Sequence, residues 1–200
     1  MEKLMREHED RLRRTVRLVA ILNVAYFGVE FAVALAIGSV SLFADSIDFL
    51  EDASVSILVL LALNWPPSRR ARVGMLLAAI LLIPSLAALW TAWQKLNVPA
   101  PPAPVPLSLT GLGALAVNLA CALMLARHRH QGGSLTRAAF LSARNDTIAN
   151  VAIILAGAVT AWSPSVWPDL VVGIGIGAMN LGAAREVWEA ARTESRLSRS

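Results

Sequence analysis

Residues 39–65 read SVSLFADSIDFLEDASVSILVLLALNW, a run long and apolar enough to span a bilayer that nevertheless carries Asp45, Asp48, Glu51 and Asp52. A charge at the centre of a transmembrane helix raises the free energy of insertion by about 2.5–3.5 kcal/mol. Four carboxyls in eight residues are tolerable where they bind protons or cations, or face a wet cavity. At about 100° per residue, Asp45, Asp48 and Asp52 fall within roughly 60° of arc on one helix face, and Glu51 lies off it. The stretch therefore reads as half of an ion site whose other half lies elsewhere in the chain.

The rest of the chain is built to match. Mean hydropathy is +0.58, and 56% of the 200 residues are hydrophobic against 16% charged, which excludes a soluble globular domain and predicts an all-α integral membrane protein. Six spans can be read at the roughly 20 residues a bilayer requires: about 18–37, 40–63, 73–93, 107–126, 138–162 and 170–187. They form one transmembrane domain over 18–187, between a charged segment at 1–17 and a short polar tail at 188–200. The apolar run after residue 17 is too long for the core of a cleaved signal, and no small-residue cleavage site follows it, so the N-terminus is expected to be retained.

Loop charge sets the expected orientation. Of the 18 Lys and Arg, 17 lie in the N-terminal segment, 64–72, 127–144 and the C-terminal stretch 185–200, and Lys95 alone lies on the other side. By the positive-inside rule both termini are cytoplasmic and the proline-rich connection KLNVPAPPAPVP faces outward. The six tryptophans all fall near span ends, as an aromatic belt would. Basic charge distributed this way reads as cytoplasmic loop charge, with no nucleic acid as partner. The partner surface is the lipid bilayer, and a bacterial inner (plasma) membrane is the expected location. Cys121 is the only cysteine and lies inside an apolar run, which excludes a disulfide framework and a thiolate metal cluster.

The second half of the ion site is found in the fifth span, where Ser142, Asp146 and Asn150 recur at i, i+4, i+8, with Asn145 adjacent. Asp48 and Asp52 stand 10 and 14 residues past Gly38, and Asp146 stands 12 past Ser134, a plausible helix start. At 1.5 Å per residue these depths are roughly 15–21 Å from opposite surfaces, so the groups can meet near mid-membrane. Three carboxylates cannot all stay ionised there without a counter-charge, which either a divalent cation or protons must supply. Exchange between the two states is proton/metal antiport. An all-oxygen set suits Mn²⁺ or Mg²⁺, with Fe²⁺ and Zn²⁺ also open; the lack of His or Cys at the site weighs against zinc.

Six spans with GSVSLFADSIDFLED in the second and LSARNDTIANVAIILAG in the fifth resemble the cation diffusion facilitator family, and NVAYFGVEF, AVNLACALML and WPDLVVGIGIG extend the likeness over nearly the whole chain. The resemblance implies a six-helix bundle that exports a divalent cation (Zn²⁺, Mn²⁺, Fe²⁺, Co²⁺ or Cd²⁺) in exchange for protons, with no permanently bound cofactor. It also implies a homodimer. The family's metal site pairs His or Asp with Asp, four residues apart, in the second and fifth helices. Carried over by spacing, the first pair falls on Asp48 and Asp52 and the second on Ser142 and Asp146. Ser142 stands where the family has His or Asp, and Asn145 or Asn150 is the expected substitute. The family's cytoplasmic metal-binding domain and the long His-rich loop of some zinc members are expected to be absent.

The remaining polar residues carry competing readings. Asp45 is nearer the outer end of its helix, where water or a hydrogen bond would account for it as well as a ligand role. Glu51 is expected to pair with Arg144. Glu30 and Asn23 either line the path or bond between helices. His128 and His130 read as a solvated loop, and Gly173, Gly175 and Gly177 as a site of close helix packing. No GxSxG, HExxH or nucleophile–base pairing supports an enzyme. Two alternatives to metal export stay open: a proton-coupled exporter of organic cations, and a non-transporting membrane subunit that kept the fold.

Overall fold

The computed structural model describes residues 2–62, 86–87, 89–126 and 133–179, with side chains over 10–58, 60, 86–87, 89–126 and 143–179. Among these residues the regular structure is all helical, with α1 (Glu2–Ile37), α2 (Val40–Ala62), α3 (residues 89–97), α4 (Pro104–Ala126), α5 (Gly133–Trp162) and α6 (Trp167–Met179). The expected third span and the last part of the sixth's sequence run, beyond residue 179, lie largely outside the described residues.

Two of these helices, over 10–37 and 104–126, are long and apolar enough to cross a membrane on their own composition. At 23 and 30 residues, α2 and α5 are long enough as well; their acids set them apart. Helix α1 does not begin at the apolar run but continues back through the charged segment to Glu2. Its 36 residues reach about 54 Å, well beyond the roughly 30 Å hydrocarbon thickness.

Local sequence explains the joints. Gly38 has φ 62°, the left-handed conformation that glycine adopts without penalty, and the Ser39 N–H closes onto the Ala34 carbonyl at 3.0 Å, the pattern of a Schellman C-cap. Ser39 then caps α2, its Oγ accepting from the Leu42 N–H at 3.2 Å. Two residues thus suffice to reverse the chain between α1 and α2. The proline-rich connection is non-helical over 98–103, and α4 starts at Pro104, whose missing N–H is no loss at the first helical position.

Helix α1 packs along α2 and α4 along α5, with α1–α4 and α2–α5 contacts closing a four-helix group. Its main core joins Ala34, Leu42, Phe43, Ala44, Ile47, Leu107 and Ile153 with Ile176 of α6. A smaller cluster, Val40, Ala92, Val166 and Leu170, ties the start of α2 to α3 and α6. The distribution is inverted relative to a soluble bundle: Ile21, Leu35, Leu109, Leu123, Ile148, Leu155 and Val171 are exposed, whereas Asn23, Glu30, Asp45, Asn118, Asp146 and Asn150 are buried. So much exposed apolar surface would drive a soluble protein to aggregate; it is the surface that lipid requires.

Of the three glycines expected to pack closely, only Gly173 does so. A Cβ there would fall 2.7 Å from the Val40 carbonyl carbon and 2.8 Å from the Ser41 nitrogen, whereas Gly175 faces open space. Gly173→Ala is therefore expected to destabilise the bundle by about 1–3 kcal/mol, and Gly175→Ala to leave it unchanged or slightly more stable. Thermal melting of the two variants in detergent checks the contrast.

The start of α2 is held by a polar clasp. Asp169, one residue before the sixth apolar run, is fully buried. Its Oδ1 accepts from Ser39 Oγ and Ser41 Oγ, both at 2.6 Å, and from the Ser41 N–H at 3.1 Å. Its Oδ2 accepts from the Val40 N–H at 2.9 Å and pairs with Lys95 Nζ at 3.0 Å. Lys95 also donates to the Gly38 carbonyl. The lysine expected in the outward loop is thus a buried residue of α3. Burial pushes the Asp169 carboxyl up, but the Lys95 charge and the bonds from Ser39, Ser41 and Val40 outweigh it and hold the group below the ordinary carboxylate range.

Candidate functional site

Below the clasp, α2 presents a column of acids. Asp45 is fully buried, as is Glu30 of α1. The two carboxyls face each other closely enough to share a proton, and among the described residues no donor reaches any of their four oxygens. Asp45 is therefore enclosed by protein, facing Glu30, and not open at the outer end of its helix. The reason is α1: its helical face places Glu30 and the Tyr26 ring against α2, where Tyr26 lies on Phe49 with ring centroids 5.1 Å apart. The Tyr26 hydroxyl donates away from the acids, to the Thr110 carbonyl at 2.6 Å, and so anchors α1 to α4.

Further along α2, Asp48, Glu51 and Asp52 are partly exposed, and Asp146 of α5 is buried. Asp48, Asp52 and Asp146 lie within Coulombic reach of one another, and the Asp52 and Asp146 carboxyls approach to hydrogen-bonding contact. Asp146 Oδ2 has no donor. Asn150, fully buried one turn on, donates its amide to the Asp146 carbonyl at 2.8 Å and keeps its Oδ1 without a donor. Helices α2 and α5 thus meet on the faces their spacing predicts. In this conformation no three His, Cys, Asp or Glu of the described residues converge tightly enough to enclose a metal ion.

The other predicted positions divide. The Ser142 side chain lies outside the described residues, as do His128 and His130. Asn145 is exposed, 3.5 Å from the Arg144 guanidinium, and does not join Asp146. One residue along a helix turns the side chain by about 100°, which carries Asn145 off the buried face. The same rotation undoes the expected Glu51–Arg144 pair: Arg144 is exposed, and no ion pair joins it to Glu51 among the described residues. Glu51 stands instead within the field of Asp52.

Sequence reasoning undervalued Glu30 and missed the roles of Lys95 and Asp169. The available signals were a carboxyl in the middle of the first apolar run, and a single lysine on the side otherwise free of basic residues. Neither identifies its partner, because Glu30 lies 15 residues from Asp45 and Lys95 lies 74 from Asp169.

What the arrangement can do is set by charge. Buried carboxyls on three helices, with unfilled acceptor oxygens and no cationic side chain among them in the described core, attract protons and cations and repel anions. The profile of the cation efflux transmembrane domain matches residues 16–193. That span takes in the acid-bearing second and fifth helices, the Glu30 helix and the clasp, so the chain belongs to the cation efflux family, whose members carry cations across membranes.

Proposed function

We propose that the protein is a proton-coupled antiporter that exports a divalent metal cation, with Asp48, Asp52 and Asp146 as ligands and Glu30–Asp45 as a pair that holds a proton. The observation that carries this reading is the set of donor-less carboxylate oxygens at Glu30, Asp45 and Asp146, deep in a bundle whose outer surface is apolar. Two carboxylates in contact at low dielectric need a proton or a cation between them. Arrival of a divalent ion beside Asp48, Asp52 and Asp146 supplies positive charge and favours release of protons from the same region. Departure of the ion calls protons back. Oxygen ligands of this kind suit Mn²⁺ and Fe²⁺, and also admit Zn²⁺, Co²⁺ and Cd²⁺.

The test is uptake by proteoliposomes under an imposed pH gradient, with a panel of these five ions and a pH-sensitive dye inside. Uptake of at least one ion that depends on the gradient and moves the internal pH in the opposite sense is expected. Correctly inserted protein that moves no ion on the panel would remove the metal reading, and the same vesicles would then be assayed with organic cations.

A second arm separates proton holding from mere structure. In Glu30→Gln the new amide can donate to Asp45, which is expected to raise thermal stability by about 1 kcal/mol. Gradient-driven uptake is nevertheless expected to fall roughly 10- to 150-fold, the size of one lost interaction with a charged group. Greater stability with unchanged uptake would assign Glu30 to packing alone.

A further inference from the structure

The clasp stands apart from the acid column in its chemistry. Ser39, Ser41, Asp169 and Lys95 are all buried, and each has its polar groups met by a partner. Immediately below, Glu30 and Asp45 have none. The two are connected by geometry: Ser41, Asp45, Asp48 and Asp52 recur at intervals of four, three and four, which places them on one face of α2. That face begins at Ser41, whose Oγ is bonded to Asp169. Ser41 lies about 6 Å from Asp45 along the helix axis. A cation that moves outward along the acids therefore passes Asp45 and meets Ser41, Asp169 and Lys95 next. Loop charge assigns this end of α2 to the outer side.

We propose that the Lys95–Asp169 clasp is the outer gate of the pathway, closed in this structure, and that α2 must part from it before the acid column opens to the outside. The proposal rests on the transport reading for its purpose, though not for its test. Two features suit a gate. The clasp gathers the α1–α2 turn, the end of α3 and the start of α6 on one carboxylate, so that separating any of them breaks several bonds together. Lys95 is its only cation among the described residues, and while paired it places a positive charge between external cations and the carboxyls. A cation that reaches Asp169 from inside competes with Lys95 for the same oxygens, which couples departure of the ion to loosening of the clasp.

The experiment measures access. In a Cys121→Ala background, Asp45→Cys places a thiol beneath the clasp, and a membrane-impermeant cationic methanethiosulfonate is applied from the outside. With Lys95 and Asp169 intact, labelling is expected to be slow. Lys95→Met is expected to accelerate it roughly tenfold or more, as loss of a buried ion pair that opposes opening should, and Lys95→Arg to restore protection. Asn97→Cys, at the exposed end of α3, should label at one rate in all backgrounds. Integrity is read separately from native Cys121, which is buried and should stay unreactive toward a permeant maleimide in Lys95→Met protein. Equal labelling of Asp45→Cys with and without Lys95, in protein whose Cys121 stays shielded, overturns the gate. Because labelling requires no transport, a chain that moves no metal still decides the matter: failure of uptake removes the antiport reading, and failure of protection removes the gate.

Discussion

Asp146→Asn is expected to bring cation uptake to the level of protein-free vesicles, a loss of about 10²-fold or more, while leaving the bundle folded. Asp146 is the only carboxyl of α5, so no neighbour on that helix can replace its charge. It is buried, its Oδ2 has no donor, and it approaches Asp52 across the α2–α5 contact. Asparagine preserves the shape and adds an amide that can donate to Asp52. Stability should therefore hold or rise, because one of two facing acids has become neutral. Transport should fall because a divalent ion loses one charged ligand; even partners that only support a ligand change affinity 10- to 100-fold in metal sites. Initial uptake rates and melting curves on the same preparations check both halves. Unchanged uptake would show that Asp48 and Asp52 suffice and that α5 contributes only neutral oxygens.

The largest expected loss of stability is that of Asp169→Ala. The substitution leaves Lys95 buried without its counter-charge and strips the first N–H groups of α2 of their acceptor, and breaking a buried pair from one side amounts to about 3–5 kcal/mol. Lys95→Met should be milder, because Asp169 keeps its bonds to Ser39, Val40 and Ser41. The pair also gives the protein an acid limb. The folded-state value of Asp169 lies below its ordinary one, with burial opposing and the Lys95 charge and hydrogen bonds outweighing it. Its contribution is therefore complete above the unfolded value of about 4 and vanishes as pH falls through the folded value. Melting temperature measured in detergent from pH 7 downward should show a decline below about pH 4 that is reduced in Asp169→Asn. The same slope in both proteins would place the acid limb elsewhere.

The amino-acid pattern alone specified the helical membrane class, the break between the first two spans and the helix faces on which Asp48, Asp52, Asp146 and Asn150 lie. These are properties of one helix at a time: apolar length sets the span, glycine and serine set the joint, and the 3.6-residue period sets the face. Period alone, however, did not say which nearby polar residue turns inward, and Asn145 and Arg144, offered as a substitute ligand and an ion-pair partner, proved to be exposed. Only the tertiary structure brought Glu30 onto Asp45, and only it carried Lys95 and Asp169 to the start of α2. Those contacts join different helices across 15, 74 and about 130 residues of chain. They depend on how whole helices rotate and tilt against one another, which packing decides: Gly173 against Val40, Tyr26 against Phe49 and the α2 core. A local pattern carries no record of the partner it will meet.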